Sequence, residues 1–206
     1  MATFSLQNFK SEVLRRGVAK PNRFEVQILV PFTLQNGLSN AKLVSLFCEN
    51  AVLPTYNVGV VPQRIYGPNY QNPQSVEFGG EAITLSFLVD QKMVVKKFFD
   101  DWMRLIVNPN TYHVSYRKNN SGQSNYTSEI KISQLDERDI EVYNIVLEDA
   151  FPRNIGIMDL NMASTNTPHK LNVTFAYRKW RDTSITTRDR EIADAADRAV
   201  RLGIAT

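Results

Sequence analysis

Alternation of apolar and small polar residues at positions 171–177 constrains the fold more than any other feature of this sequence. The apolar side chains that share one face are Leu171, Val173, Phe175 and Tyr177. The small side chains on the opposite face are Asn172, Thr174 and Ala176. A period of two is typical of a β-strand that buries one face. The same signal predicts further strands at residues 24–30, 83–89, 112–117, 129–135 and 141–147, with an extended segment at 43–48.

Within residues 1–180, two helices are predicted from apolar side chains spaced three and four residues apart. The longer helix covers residues 91–107, with Asp90 as its N-cap and Asn108-Pro109 as its end. Its apolar stripe comprises Val94, Val95, Phe98, Trp102, Leu105 and Ile106. A helix of this length is marginal alone, so the stripe should pack on a sheet. The shorter helix is predicted at residues 8–16 and ends at Gly17.

The number and order of these elements predict the fold class. About seven strands and one central helix indicate an α+β domain that is mainly antiparallel β. The strands should form a sandwich or a partly closed barrel with the amphipathic helix packed on the sheet. The chain has 206 residues, of which 43% are hydrophobic and 22% charged, so it can bury one substantial core.

Residues 53–80 differ in composition from the rest of the chain. Proline and glycine recur there, which disfavours long continuous pairing within one sheet and predicts a protruding arm. Aromatic residues are interleaved with them, and a flexible linker has little use for such side chains. A structureless loop of this length in a compact domain needs a partner. The residues predicted to contact another subunit are Tyr56, Arg64, Ile65, Tyr66, Tyr70, Glu77 and Phe78.

Motifs that carry catalysis or cofactor binding are missing from the sequence. It contains no GxxxxGK phosphate loop, no GxSxG elbow and no HExxH helix. His113 and His169, the only histidines, have no neighbouring carboxylates at a metal-ligand spacing. Cys48 is the only cysteine, and we predict that it packs as a small hydrophobe. We therefore expect a protein that is not an enzyme and uses no metal or cofactor.

Charge and targeting signals set further expectations. The net charge is +3, with no run of five or six like charges, which is too weak a signal for a dedicated nucleic-acid-binding face. The N-terminus lacks the pattern of a signal peptide, and no apolar run approaches the roughly 20 residues of a membrane span. We expect the chain to stay soluble where it is made.

Three short segments resemble those of a known family in their order and spacing. Residues 20–26 read Lys-Pro-Asn-Arg-Phe-Glu-Val, residues 47–54 end in Leu-Pro, and residues 151–156 read Phe-Pro-Arg-Asn-Ile-Gly. Over residues 20–180 the chain resembles the tail-tube proteins of contractile-tailed bacteriophages, the myoviruses. In the family the third segment is a turn, which places its residues at Phe151, Pro152, Arg153, Asn154 and Gly156.

The resemblance implies a structural protein of the virion tail, made in the host cytoplasm. In the family, subunits self-assemble into hexameric rings that share one inner barrel, and the rings stack into a tube inside a contractile sheath. The implied partners are other copies of the chain, the tail sheath protein, the tape measure protein and baseplate tube proteins, with DNA passing transiently during genome ejection. The residues expected to line the channel are Thr84, Ser86, Asn172, Thr174 and Ala176.

The predicted organisation is an N-terminal arm or helix at residues 1–19, a β domain at 20–180 and a C-terminal helical extension at 181–206. Such an extension would contact the sheath, fill space between rings, or mark a baseplate tube initiator of the same fold. A tube protein of a secretion or contractile injection system is a further alternative. A different class of protein, a standalone carbohydrate- or nucleic-acid-binding β-domain, would use the tyrosines of the arm for stacking.

Overall fold

A computed structural model describes residues 5–64, 66–77 and 82–183 of the chain. Within these residues the backbone forms three α-helices, one 3-10 helix and nine β-strands. The helices are α1 (Leu6–Arg16), α2 (Leu38–Leu46) and α3 (Val94–Ile106), with the 3-10 helix at Phe32–Gly37. The strands are β1 (Phe24–Ile28), β2 (Cys48–Asn50), β3 (Asn57–Gln63), β4 (Tyr70–Glu77), β5 (Ala82–Leu88), β6 (Ser128–Leu135), β7 (Glu141–Ile155), β8 (Lys170–Ala176) and β9 (Lys179–Asp182).

A seven-stranded antiparallel sheet forms the body of the domain, in the order β1-β6-β7-β8-β5-β2, with β9 also paired to β7. Strand β7 is 15 residues long and joins the two halves of the sheet. Its first part pairs with β6 on one edge and β9 on the other, and its last part pairs with β8. The sheet thereby curls around one core that both halves share. The predicted α+β class with a barrel-like antiparallel sheet is confirmed.

Helix α3 covers this core with four buried side chains, Val95, Phe98, Phe99 and Trp102. The ring of Phe99 lies 5.0 Å from that of Phe87 in β5, and the ring of Trp102 lies 6.1 Å from that of Phe175 in β8. Trp102 also donates a hydrogen bond from Nε1 to the Tyr126 carbonyl oxygen at 2.7 Å. The predicted packing of an amphipathic helix on the sheet is confirmed.

Polar side chains lie near the N-termini of α1 and α3. The prediction of Asp90 as N-cap was wrong, because α3 begins at Val94 and its N-cap is Met93, whose side chain makes no capping hydrogen bond. The Asp90 carboxylate accepts hydrogen bonds from the backbone N–H groups of Lys92 and Val95, each at 3.2 Å, and so still satisfies one N-terminal donor of the helix. Helix α1 begins after Ser5, whose hydroxyl oxygen accepts from the Asn8 N–H at 3.4 Å. It ends at Gly17, which has a φ of 74°. The predicted C-terminal helix lies outside the described residues. No helix among the described residues is long and apolar enough to cross a membrane.

The prediction of an extended segment at residues 43–48 was wrong. Helix α2 occupies this region and only the short strand β2 follows it. Ala41 and Val44, three residues apart, are buried against the body. The Ser45 hydroxyl accepts a hydrogen bond from the Ile28 N–H of β1 at 3.0 Å. Contacts with β1 thus override a local sequence of apolar residues that also suits a strand.

The prediction of a strand at residues 112–117 was also wrong. This segment forms one isolated bridge, between Val107 and Val114, and is part of none of the nine strands. Tyr112, Val114 and Tyr116 alternate as a strand would, but all three side chains are exposed. The period-two pattern here reflects an exposed loop rather than a buried strand face.

Cys48 lies at the start of β2, opposite Phe87 of β5. Burial raises the pKa of its thiol to about 12, and the hydrogen bond to the Asn50 carbonyl oxygen only partly offsets this. The reactive thiolate is therefore scarce at mildly alkaline pH. We expect iodoacetamide to label the native protein at least about a hundredfold more slowly than the urea-unfolded protein. Mass spectrometry of timed samples measures both rates, and equal rates would contradict the packed environment.

Candidate assembly surfaces

Strands β3 and β4 form a separate two-stranded hairpin within the segment predicted as a protruding arm. The prediction that this segment avoids long pairing was wrong, since Asn57 through Gln63 pair antiparallel with β4. Pro73 pairs with Val60 beside a register shift, and Pro62 pairs with Gln71. Each strand of a two-stranded ribbon has a free edge, which tolerates the missing N–H of proline.

One face of this hairpin is apolar. Cross-strand pairing places Val58 beside Val76 and Val60 beside Pro73, so these four side chains share a face. The exposed fraction is 54% for Val58, 47% for Val60 and 60% for Val76. An isolated two-stranded hairpin is marginally stable at best in water. The hairpin therefore exposes an apolar surface, and a partner bound to that surface would stabilise the hairpin.

The base of the hairpin is fixed to the body by two aromatic side chains. The ring of Tyr56 lies 4.1 Å from that of Trp180 in β9. The Trp180 Nε1 group donates to the Thr55 carbonyl oxygen at 3.4 Å. Tyr143 lies nearby, and burial followed by the charges of Asp182 and Tyr56 raises the pKa of its hydroxyl. Tyr56, predicted to contact another subunit, thus packs within its own chain.

Tyr56→Ala is expected to loosen the hairpin without unfolding the body. A paired aromatic contact contributes about 0.5–1.5 kcal/mol beyond its buried area. Proteolysis should therefore cut within residues 57–77 several times faster in the variant, while the thermal midpoint of the body falls by only a few degrees. Tyr112→Ala removes an exposed tyrosine from another loop and is the matched control. Unchanged proteolysis of the hairpin would argue against this anchor.

The other predicted arm residues are placed as follows. Arg64, Tyr66 and Tyr70 are exposed at the tip and along the hairpin, and Tyr66 has a positive φ of 41°. Glu77 ends β4. Ile65 and Phe78 lie outside the described residues.

A small polar face runs across β5 and β8 on the side away from α3. Thr84 and Thr174 lie opposite each other with their hydroxyl oxygens 3.0 Å apart. The Ser86 hydroxyl donates to the Asn172 Oδ1 atom at 2.6 Å. Ala176, opposite Ala82, completes the predicted set. The apolar residues that alternate with them are buried under the helix, namely Ile83, Leu85, Phe87, Leu171, Val173 and Phe175. The five residues predicted to line a channel therefore share one face, and none is packed beneath α3.

The segment predicted as a turn at residues 151–156 instead continues β7 as far as Ile155. A register shift between Pro152 and Asn154 accommodates the proline, whose missing N–H would otherwise interrupt the ladder. The Phe151 ring lies 5.6 Å from that of Tyr126, while Arg153 and Asn154 are exposed. The prediction of a turn was therefore wrong, and the segment is a bulged part of β7.

Gly156 ends this segment at a close backbone approach. Its N–H donates to the Asn172 carbonyl oxygen at 2.6 Å. A Cβ atom at this position would lie 3.0 Å from the same oxygen, which is tighter than nine in ten real Cβ contacts. Glycine lets β7 leave the polar face at this point.

A cluster of ion pairs that the sequence did not indicate lies on the other half of the sheet. Arg178 contacts Glu148 at 2.9 Å and Asp149 at 2.8 Å, and Arg117 also pairs with Asp149. Arg181 reaches Glu148 at 3.4 Å. The cluster borders a cavity of about 540 Å³. The guanidinium groups neutralise the carboxylates of Glu148 and Asp149. These two acidic residues thus hold a loop, the one that carries Arg117, onto the sheet.

Solved tube and baseplate structures share this fold. A chain of the anti-feeding prophage baseplate is 16% identical, with a TM-score of 0.56 over 82% of this chain and 97% of its own. A chain from the sheath-tube complex of an extracellular contractile injection system is 14% identical, with a TM-score of 0.54 over 89% and 100%. A chain of the sheath/tube terminator of such a system is 15% identical, with a TM-score of 0.55 over 81% and 96%. The fold is thus shared with chains of these contractile assemblies.

The family follows from the sequence itself. The model of the phage tail tube protein family matches residues 19–183, so the chain belongs to that family. No curated protein sequence matches the chain. The resemblance predicted from residues 20–180 is confirmed at the level of the family.

Proposed function

We propose that this chain is the repeating subunit of the inner tail tube of a contractile-tailed phage, assembled as hexameric rings stacked into a hollow tube. The observation that carries the proposal is the β3–β4 hairpin, which exposes an apolar face and forms a sheet of its own, with the Tyr56–Trp180 contact at its base. Family membership supports the same role. The protein then acts by assembly and has no catalytic step.

The margins of the sheet support assembly into rings. Strands β1 and β2 are the outermost strands of the seven-stranded sheet. An outer strand presents unpaired N–H and C=O groups that invite pairing with another chain. Pairing around a closed ring satisfies these groups on every subunit and leaves no open margin.

The polar face of β5 and β8 is the proposed wall of the channel. Its threonine, serine, asparagine and alanine side chains carry no formal charge. The tape measure protein and then DNA would slide past such a wall, because tight DNA binding requires contacts between cationic side chains and phosphates. Uncharged hydroxyl and amide groups keep the wall hydrated without holding either cargo.

The proposed partners are further copies of the chain, the tail sheath protein, the tape measure protein and baseplate tube proteins. The structural relatives come from a sheath-tube complex and a baseplate, which supports a place between these components. The protein would be made in the host cytoplasm and incorporated into the virion tail. A baseplate tube initiator is the second candidate, favoured by the baseplate relative.

Negative-stain electron microscopy of the purified protein across a range of concentrations tests the proposal. We expect rings at low concentration and hollow rods of constant diameter at high concentration. Rings that never lengthen would favour the baseplate initiator instead. Dispersed monomers at every concentration, combined with salt-dependent DNA binding, would favour a standalone binding domain and refute the tube.

A further inference from the structure

We infer that the β3–β4 hairpin of one copy docks on the β7–β8 loop, residues 157–169, of a second copy in the next ring. The inference rests on the proposed function and identifies the surface that receives the hairpin. It also names one ion pair across the junction, between Arg64 and Asp159.

The hairpin and the loop lie at opposite ends of the same strands. In the β5–β8 pair, Ala82 lies opposite Ala176 at one end and Leu88 opposite Lys170 at the other. The hairpin leaves from the first end, because β4 precedes β5 in the chain and Tyr56 rests on Trp180, just after β8. The loop leads into Lys170 at the second end. In this inference β5 and β8 run along the direction of stacking, so that copies stacked head to tail bring the hairpin of one copy to the loop of the next.

Both surfaces expose apolar side chains that the monomer leaves in water. Ile157, Leu160 and Met162 of the loop are 93%, 88% and 103% exposed. Single exposed apolar side chains are ordinary, but a group of them within one loop indicates an interaction surface. The apolar face of the hairpin around Val58 and Val60 is a complementary partner.

Opposite charges favour contact between the hairpin and the β7–β8 loop over contact with other exposed apolar surfaces. Arg64 is the only charged residue between positions 57 and 76. Between positions 157 and 169 the only acidic or basic residues are Asp159 and His169. Within the described part of the chain neither side chain forms an ion pair. Opposite single charges on two apolar surfaces fix the register of a contact and disfavour wrong partners.

Charge reversal at each position tests the junction. Arg64→Glu and Asp159→Arg should each leave rings intact but raise the protein concentration needed for tubes at least about tenfold. Mixing preformed rings of the two variants should restore tubes, because every junction then joins opposite charges. Lys97→Glu, an equal change in charge on the exposed side of α3, lies outside both surfaces and should not alter assembly.

The outcomes separate this inference from the proposed function. Tubes that form from the mixture but not from either variant support the docking of hairpin on loop. If both reversals leave assembly unchanged, or if mixing restores nothing, the hairpin docks elsewhere and the inference is wrong, while wild-type tubes still uphold the proposed function. If the wild-type protein forms no rings or tubes, the proposed function itself fails.

Discussion

Replacing residues 57–77 with a Gly-Gly linker is expected to abolish tubes while leaving the body folded. The hairpin forms its own sheet, and Asn57 pairs with Glu77 at its base, so a short linker can join the ends that remain. The seven-stranded sheet and its core keep all their contacts. Sedimentation velocity and negative-stain microscopy measure assembly, and far-UV circular dichroism with a thermal melt measures folding.

Point substitutions on the two faces of the hairpin provide the control for this deletion. Val58→Asp combined with Val60→Asp places charge on the apolar face and should raise the concentration needed for tubes about a hundredfold or more. Val61→Asp lies on the opposite face, beside Asn72, and should have a much smaller effect. Normal tubes from the deletion variant would show that the hairpin plays no part in assembly.

Trp102→Ala is expected to cost about 3–5 kcal/mol of the free energy of unfolding. Trp102 is fully buried, it contacts the rings of Phe98 and Phe175, and it donates to the Tyr126 carbonyl oxygen. The substitution removes these contacts together and leaves a cavity between α3 and β8. Since a domain of this kind has only about 5–15 kcal/mol in total, the variant should be largely or partly unfolded at 37 °C.

Urea denaturation followed by circular dichroism measures this loss, and Trp180 remains as a fluorescence probe. Trp102→Phe keeps a ring in the core but removes the indole donor, so it should lose clearly less stability than the alanine variant. Tyr112→Ala, at an exposed loop position, should change stability by no more than about 0.5 kcal/mol. A loss below about 1 kcal/mol for Trp102→Ala would contradict the placement of α3.

The elements that could be predicted from the sequence are those that separate a buried face from an exposed one. Strands β5 and β8 alternate strictly, and α3 carries a regular stripe, because each packs one face on the core. Residues 43–46 and 112–116 gave misleading patterns for opposite reasons. The first is an apolar run that suits strand or helix equally, and the second alternates without being buried.

Other features depended on pairing between distant segments, which a local pattern does not record. Pro62 and Pro73 read as breaks, yet both fit a two-stranded ribbon whose outer edges need no donor. The ion pairs of Arg178 with Glu148 and Asp149 form because β8 and β9 run along β7, far away in sequence.

The same distinction between local patterns and distant contacts applies to the candidate surfaces. The polar face with Thr84 and Thr174 could be predicted from alternation alone, because both strands bury their other face. The contact of Tyr56 with its own Trp180 could not, since exposed aromatics in a proline-rich segment suggest a partner chain whether or not they have one within the subunit. Arg64 and Asp159 became candidates for one contact only when the topology placed them at opposite ends of the domain.

A cryo-EM reconstruction of tubes grown from the purified protein would show how the subunits are arranged. We expect stacked hexameric rings in which Thr84, Ser86, Asn172 and Thr174 face a hollow lumen and α3 lies outside the inner wall. A tube with α3 facing its lumen, or a protein that stays monomeric at every concentration with its hairpin folded onto its own body, would contradict this arrangement.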